Sequence, residues 1–374
     1  MMYKVFCKRR ICGLLIALLV LSLLTACSTQ QAEPVDDAQQ NNDEFHIVKD
    51  ALDREVQVPN NPERVLALNA SMTETLFNLG VVPVGLVNEY MIQRPEAEGL
   101  PDISLENSPN IEIINKLKPD LIIAHVRNHG QMLESLEGTG AAVVYIDPSS
   151  ADDQLLGPVS TIGEVLNRQK EADAYIKEVE EKAKTLRDKI KESPVKTALF
   201  IQGGSQNISS ARSFCFWGRL LDYLGLENIV PDEMAGSSKA GFMPFDIETI
   251  IQKDPDIIFV LQPGFRSGKG QGGGKGQGNS EGQKGNNIQE EESKQAAESE
   301  EDSEKQKSNT TPDKKNKIKP DDLKAMYEKD PMWQKLSAVK NGRLIIVPEN
   351  IAPGKIKIID ALDVMARLTY PEAF

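Results

Sequence analysis

His125, Arg127 and His129 fall on alternate positions of one short run. A neutral imidazole can accept a proton or ligate a metal. A guanidinium grips a carboxylate or phosphate through two parallel hydrogen bonds. The three histidines, His46, His125 and His129, form no H-E-x-x-H zinc pattern. Ser205 lies in Gly203-Gly204-Ser205-Gln206-Asn207, which lacks the closing glycine of a nucleophile elbow. Gly268, Gly270 and Gly273 fit G-x-G-x-x-G, but no strand leads directly in and no helix follows. Gly274-Lys275-Gly276 lacks the Ser/Thr of a phosphate loop. The chemistry on offer is therefore binding, with an anionic partner suited to Arg127. No catalytic set and no cofactor motif emerges.

A fourth reactive group is the Cys27 thiol in Leu24-Thr25-Ala26-Cys27. It follows a basic start (Lys4, Lys8, Arg9, Arg10) and an apolar run, Ile11 to Leu24, too short for the ~20 residues of a spanning helix. The pattern looks like a bacterial lipoprotein signal, with residues 1–26 removed and Cys27 lipidated. That places the chain at the outer face of the cytoplasmic membrane. The mature chain then keeps only Cys27 and Cys215, so no internal disulfide is expected. A net charge of -13 argues against nucleic acid as a partner. The length suits two lobes of ~100–150 residues each.

Residues 27–44 are polar and Pro-punctuated and read as a tether. In 45–157, apolar strands alternate with helical patterns: strands at 65–68, 83–87, 121–124 and 142–146, and helices at 71–79, 111–117 and 131–137. This alternation predicts a mainly parallel sheet. Residues 158–192 carry helical spacing throughout and predict one long connecting helix, a rod that resists bending. The pattern resumes in 193–374, with strands at 197–201, 256–261 and 343–347 and helices at 217–224, 247–252 and 358–368. An insertion at 266–319, almost all Gly, Lys, Gln, Glu, Ser and Asn, cannot bury a core and is predicted to be disordered.

Five segments in order carry a resemblance: DALDREVQVPNNPERVLALNASMTETLFNLG, PNIEIINKLKPDLIIA, FWGRLLDYLGLENIV, DIETIIQKDPDIIFV and DPMWQKLSAVKNGRLIIVP. Together they are similar to the ABC-transporter solute-binding lipoproteins for iron–siderophores, haem and cobalamin. The resemblance implies two α/β lobes, each with a mainly parallel sheet flanked by helices, bridged by a single long rigid α-helix. It implies a monomeric binding protein, not an enzyme, that takes a metal chelate in the cleft between lobes and passes it to ABC permease subunits. Ferric siderophore comes first as ligand, then haem or cobalamin.

In open α/β sheets, ligands sit beyond the carboxyl ends of strands. The ligand candidates are accordingly Asn69, Met72, Tyr90, His125, Arg127, His129, Gln202, Ser205 and Gln262, with Lys239 on the 237–245 loop. The family docks on its permease through one acid per lobe, and the resemblance assigns Glu74 and Asp222. Ser71-Met72-Thr73-Glu74 is also a capping-box pattern, so Glu74 has a local use available. Arg219 stands where relatives often carry an acid. Two other readings remain: a surface α/β hydrolase using Ser205, which needs an acid–His pair beside it, and an adhesion or scaffold lipoprotein using the insertion as its arm.

Overall fold

The computed structural model describes residues 44–231, 241–262 and 318–374. The predicted signal segment, Cys27, Lys239 and all but the last two residues of the 266–319 insertion lie outside them. The chain is α/β. A hairpin of β1 (Phe45–Lys49) and β2 (Glu55–Pro59) precedes a parallel sheet of order β3-β6-β7, made of Val65–Ala67, Leu121–His125 and Ala142–Ile146. Between these strands come α1 (Ala70–Asn78), the short pair β4 (Ser104–Leu105) and β5 (Ser108–Pro109), α2 (Ile111–Leu117), α3 (Val126–His129) and α4 (Leu133–Glu137). Two helices follow, α5 (Gly157–Val165) and α6 (Gln169–Ile190).

The second sheet has order β11-β9-β8-β12-β13, with β10 (Glu227–Asn228) also on β8. Its strands are β8 (Thr197–Gly204), β9 (Asn207–Ala211), β11 (Phe242–Pro244), β12 (Ile257–Leu261) and β13 (Leu344–Ile346). The helices are α7 (Phe216–Tyr223), α8 (Ile247–Lys253), α9 (Pro320–Glu328), α10 (Ser337–Lys340) and α11 (Ile358–Thr369). The pairs β8–β9 and β9–β11 are antiparallel, so this sheet is mixed.

Both sheets bury their two faces, and their central strands read as continuous apolar runs. In β6, Leu121 and Ile123 face one layer while Ile122 and Ala124 face the other. In β12, Ile257, Phe259 and Leu261 face one way, Ile258 and Val260 the other. The layer holding Leu121 and Ile257 is a single core. It runs from the first sheet through α5, α6 and α11 to the second.

The predicted connecting helix is two helices. Asn167 takes a left-handed conformation (φ 55°) and breaks the ladder, a cost asparagine tolerates better than most residues. Gly163 then lets α5 and α6 pack closely: a Cβ there would lie 2.6 Å from that of Ala172. The predicted strand at 83–87 is also absent, reduced to a lone bridge from Leu86 to Asp102. Pro83 offers no ladder N–H, and Gly85 is pressed against Ile103 and Leu117.

One unit occurs twice. Residues 111–124 and 247–260 share Ile-Glu at their start and Pro-Asp before their strands. Asn110 and Asp246 cap the two helices through the N–H three residues on. Lys118 and Asp254 close them in the left-handed region, at φ 46° and 41°. The carboxylates of Asp120 and Asp256 then accept from the backbone at the start of the neighbouring strand, Arg64 in one sheet and Thr197 in the other. Glu112 and Glu248 occupy the same place in the two copies, and both are exposed.

Candidate functional site

The carboxyl ends of β3 and β6 form one network. Asn69, not Ser71, caps α1, accepting from the N–H groups of Ser71 and Met72. Its amide donates to Glu106 Oε2 at 3.0 Å, and Glu106 Oε1 accepts from Ala70 N–H at 2.6 Å. Burial pushes the Glu106 carboxyl up, against the pull of the Ala70 N–H. The Glu106 carbonyl is met by His129 Nε2 at 2.7 Å. His129 Nδ1 accepts from His125 N–H at 2.9 Å, so the Nε2 carries the proton and donates to Glu106. His129 is fully buried and braces the loop.

His125 is half-buried, and its Nδ1 accepts from Arg127 N–H. Burial holds its imidazole down to about 4. Of the three potentially cationic groups on this loop, Arg127 alone carries charge at neutral pH. Its Nη2 donates to Ser149 Oγ at 2.6 Å. An imidazole that charges near 6.5 when unfolded and near 4 when folded contributes stability that is full above pH 6.5. That contribution is lost as pH falls from 6.5 toward 4. Urea titrations of His125→Gln should show this part of the acid-side decline flattened relative to wild type.

Ser149 leads to a pocket of about 350 Å³, lined by Ser149, Ser150 and Asp152 after β7 and by Ser213, Phe214 and Arg219 after β9. Gln154 joins the two loops, its N–H donating to Phe214 O and its amide to Ser149 O, both at 2.9 Å. Arg219 reaches Asp153 at 2.9 Å and Asp222 at 2.7 Å. Tyr223 Oη donates to Asp153, and burial pushes this phenol up to about 12. Buried Arg212 lies 4.5 Å over the Phe214 ring.

The sequence-assigned residues distribute unevenly around this pocket. Arg127 touches its rim through Ser149, and Asp222 borders it through Arg219. Asn69 joins His129 through Glu106. Met72 is core, 1% exposed. Tyr90 is buried and donates to Glu74 at 2.9 Å. Glu74 does not cap its helix; it pairs with Arg94 at 2.7 Å and is 5% exposed. Gln202, Ser205 and Gln262 belong to the second sheet. Gln262 is buried, donating to Val347 O, and the Ser205 carbonyl accepts from Trp333 Nε1. None of the three histidines bonds to Ser205. Ser150, Asp152, Ser213 and Phe214 were not anticipated. The polar run Asn207–Ala211 does not read as a strand, so the loop that follows β9 was not expected to face the site.

Residues 65–351 match the sequence profile of the family described as periplasmic binding protein. The chain belongs to this family. It is 21% identical over 262 residues to the Fe(3+)-citrate-binding protein YfmC of Bacillus subtilis, covering 69% of this chain and 81% of that protein. It is 25% identical over 269 residues to YfiY, a probable siderophore-binding lipoprotein of the same organism, covering 67% of this chain and 79% of that protein. In fold it resembles Staphylococcus aureus SirA complexed with staphyloferrin B. The TM-score is 0.60 at 20% identity, over 87% of this chain and 98% of that one. The chain is thus a solute-binding protein of the ABC-transporter class and not an enzyme.

Proposed function

We propose that this protein captures a metal chelate outside the cytoplasmic membrane, held there by lipid on Cys27, and delivers it to an ABC importer. A ferric siderophore is the first choice of ligand, ahead of haem or cobalamin. The observation that carries the reading is the pocket between the loops after β7 and β9. It is contributed by both sheets: by the loop at the carboxyl end of the parallel strand β7, where such folds bind ligand, and by the loop after β9, which runs antiparallel to β8. Its volume of about 350 Å³ stands near the small end of the ~300–1,000 Å³ usual for ligand sites, which favours a compact chelate over a macrocycle. Hydroxyls of Ser149, Ser150 and Ser213 suit oxygen-rich ligands, and Arg127 supplies a cation at the rim. The names of YfmC and YfiY support iron chelates as the class. Native mass spectrometry of protein purified from its own host is the test. A co-purified ferric chelate is the expected mass, and haem, a corrinoid or a phospholipid would overturn the choice.

Docking on the permease is assigned to one acid per lobe. Glu74 would first have to leave Arg94, and Asp222 is engaged by Arg219. Glu112 and Glu248 are exposed, carry no ion pair among the described contacts, and occupy equivalent places in the repeated unit. They are the better pair, and their test opens the Discussion.

A further inference from the structure

Glu74 sits where the two lobes touch, at the opposite side from the pocket. β3 is one edge of the first sheet and β13 one edge of the second. The chain leaving β13 comes to rest on the start of α1. Gly354, at φ +76°, lies so close that a Cβ there would be 2.3 Å from that of Ala70, and its carbonyl accepts from Met91 N–H at 3.3 Å. The pocket, by contrast, opens beside β7 and β9. The contact of Gly354 with Ala70 and Met91 is therefore a seam between the lobes, made by residues other than those that line the pocket.

The charged groups behind the seam meet at one carboxylate. Glu74 Oε1 takes Arg94 Nη2 at 2.7 Å, and Oε2 takes the Tyr90 hydroxyl at 2.9 Å. The Arg94 guanidinium lies 4.5 Å over the Phe77 ring, and Phe77 packs on Tyr90 at 5.6 Å. From the second lobe, Lys357, just ahead of α11, acts on Glu74 electrostatically. Asn78 on its own helix also bonds to it. On α6, Tyr175 feels the Glu74 charge together with those of Glu178, Arg94 and Asp360, and Glu96 acts on Tyr90. One buried anion thus pairs with Arg94, on the segment that binds Gly354, and feels the charge of Lys357, on the segment that carries it.

We infer that Glu74 is a positioning residue that seats the 351–357 segment of the second lobe on the first, through Arg94 and Lys357, and so fixes how far the cleft opens. A half-satisfied buried charge is costly, so loss of the Glu74 anion leaves Arg94 uncompensated and frees both segments. The inference rests on the contact between lobes and not on which chelate is bound.

Hydrogen exchange on the full chain, free of chelate, tests it. In Glu74→Gln, the amides of 88–94 and 351–357 exchange at least tenfold faster than in wild type, while those of β6 and β12 keep their rates. In wild type the same amides accelerate on acidification, beyond the intrinsic effect of pH, because burial raises the Glu74 carboxyl. Glu74→Gln loses that dependence. Lys357→Met keeps the half-buried stem, guards against a misfolded Glu74 variant, and reproduces the acceleration at 351–357. Unchanged exchange in both variants overturns the inference. So does acceleration spread evenly along the chain, or lost uptake with exchange unaltered, which would return Glu74 to a docking surface.

Discussion

Reversing both displayed acids, Glu112→Arg with Glu248→Arg, is expected to lower iron uptake by whole cells at least a hundredfold while leaving chelate affinity within twofold. One exposed ion pair is worth only about 0.2–1 kcal/mol, so truncation to alanine would be a weak test. If each acid docks on a permease cation, reversal sets like charges against each other there, which costs several kcal/mol and slows association. Each acid lies in the first turn of a helix whose cap and closing residue are left untouched, so the fold should persist. The measurement is accumulation of radioactive iron supplied as the chelate that co-purifies, beside a binding titration of the purified variant. Uptake at the wild-type rate would dismiss this pair. Uptake lost together with affinity would mean that the two helices touch ligand.

Trp333→Ala is expected to destabilise the protein by about 3–5 kcal/mol, the range for removing a large buried aromatic. Trp333 is fully buried and meets Tyr327 edge-on, with centroids 4.6 Å apart. Its Nε1 donates to Ser205 O at 3.1 Å, while Tyr327 Oη donates to Gly203 O at 2.9 Å. Gln206 adds a bond to Asp330 at 2.8 Å. The three bonds hold the end of β8 and its turn into β9; in that strand end Gly203 sits at φ +113° with no room for a Cβ beside Asn207 O. Urea unfolding measures the loss, and Trp333→Phe separates its parts by keeping most of the packing while removing the donor to Ser205. A loss under about 1 kcal/mol for the alanine variant would show that the turn does not depend on this side chain.

The elements whose limits the sequence foretold are those set by local signals. α2 and α8 begin at Asn110 and Asp246, side chains that cap, and end before Pro119 and Pro255. The strands after them are short runs of branched apolar residues. The bridging segment misled because Asn167 offers no strong sequence signal. Its left-handed turn is stabilised by the close packing of Gly163 on Ala172, two residues that look unremarkable on a helical wheel. The site was less legible for the same kind of reason. The charge of His125 follows from its burial, not from its type. The inward turn of Glu74 depends on Arg94, twenty residues along the chain. The serines of the pocket are common loop residues until two sheets bring their loops together.

The core shared by both sheets has a consequence for how the protein comes apart. Val65, Leu121 and Val144 of the first sheet, Phe200 and Phe259 of the second, and the buried stripe of α6 from Ala172 to Ile190 belong to one apolar body. Neither lobe owns that body, so neither can melt and leave the other intact. Heating should give one calorimetric transition, with calorimetric and van't Hoff enthalpies in agreement. Residues 45–157 produced alone would turn the inner face of β3, β6 and β7 to water, a surface prone to aggregate. A growing chain faces the same hazard until α6 and α11 arrive to cover that face.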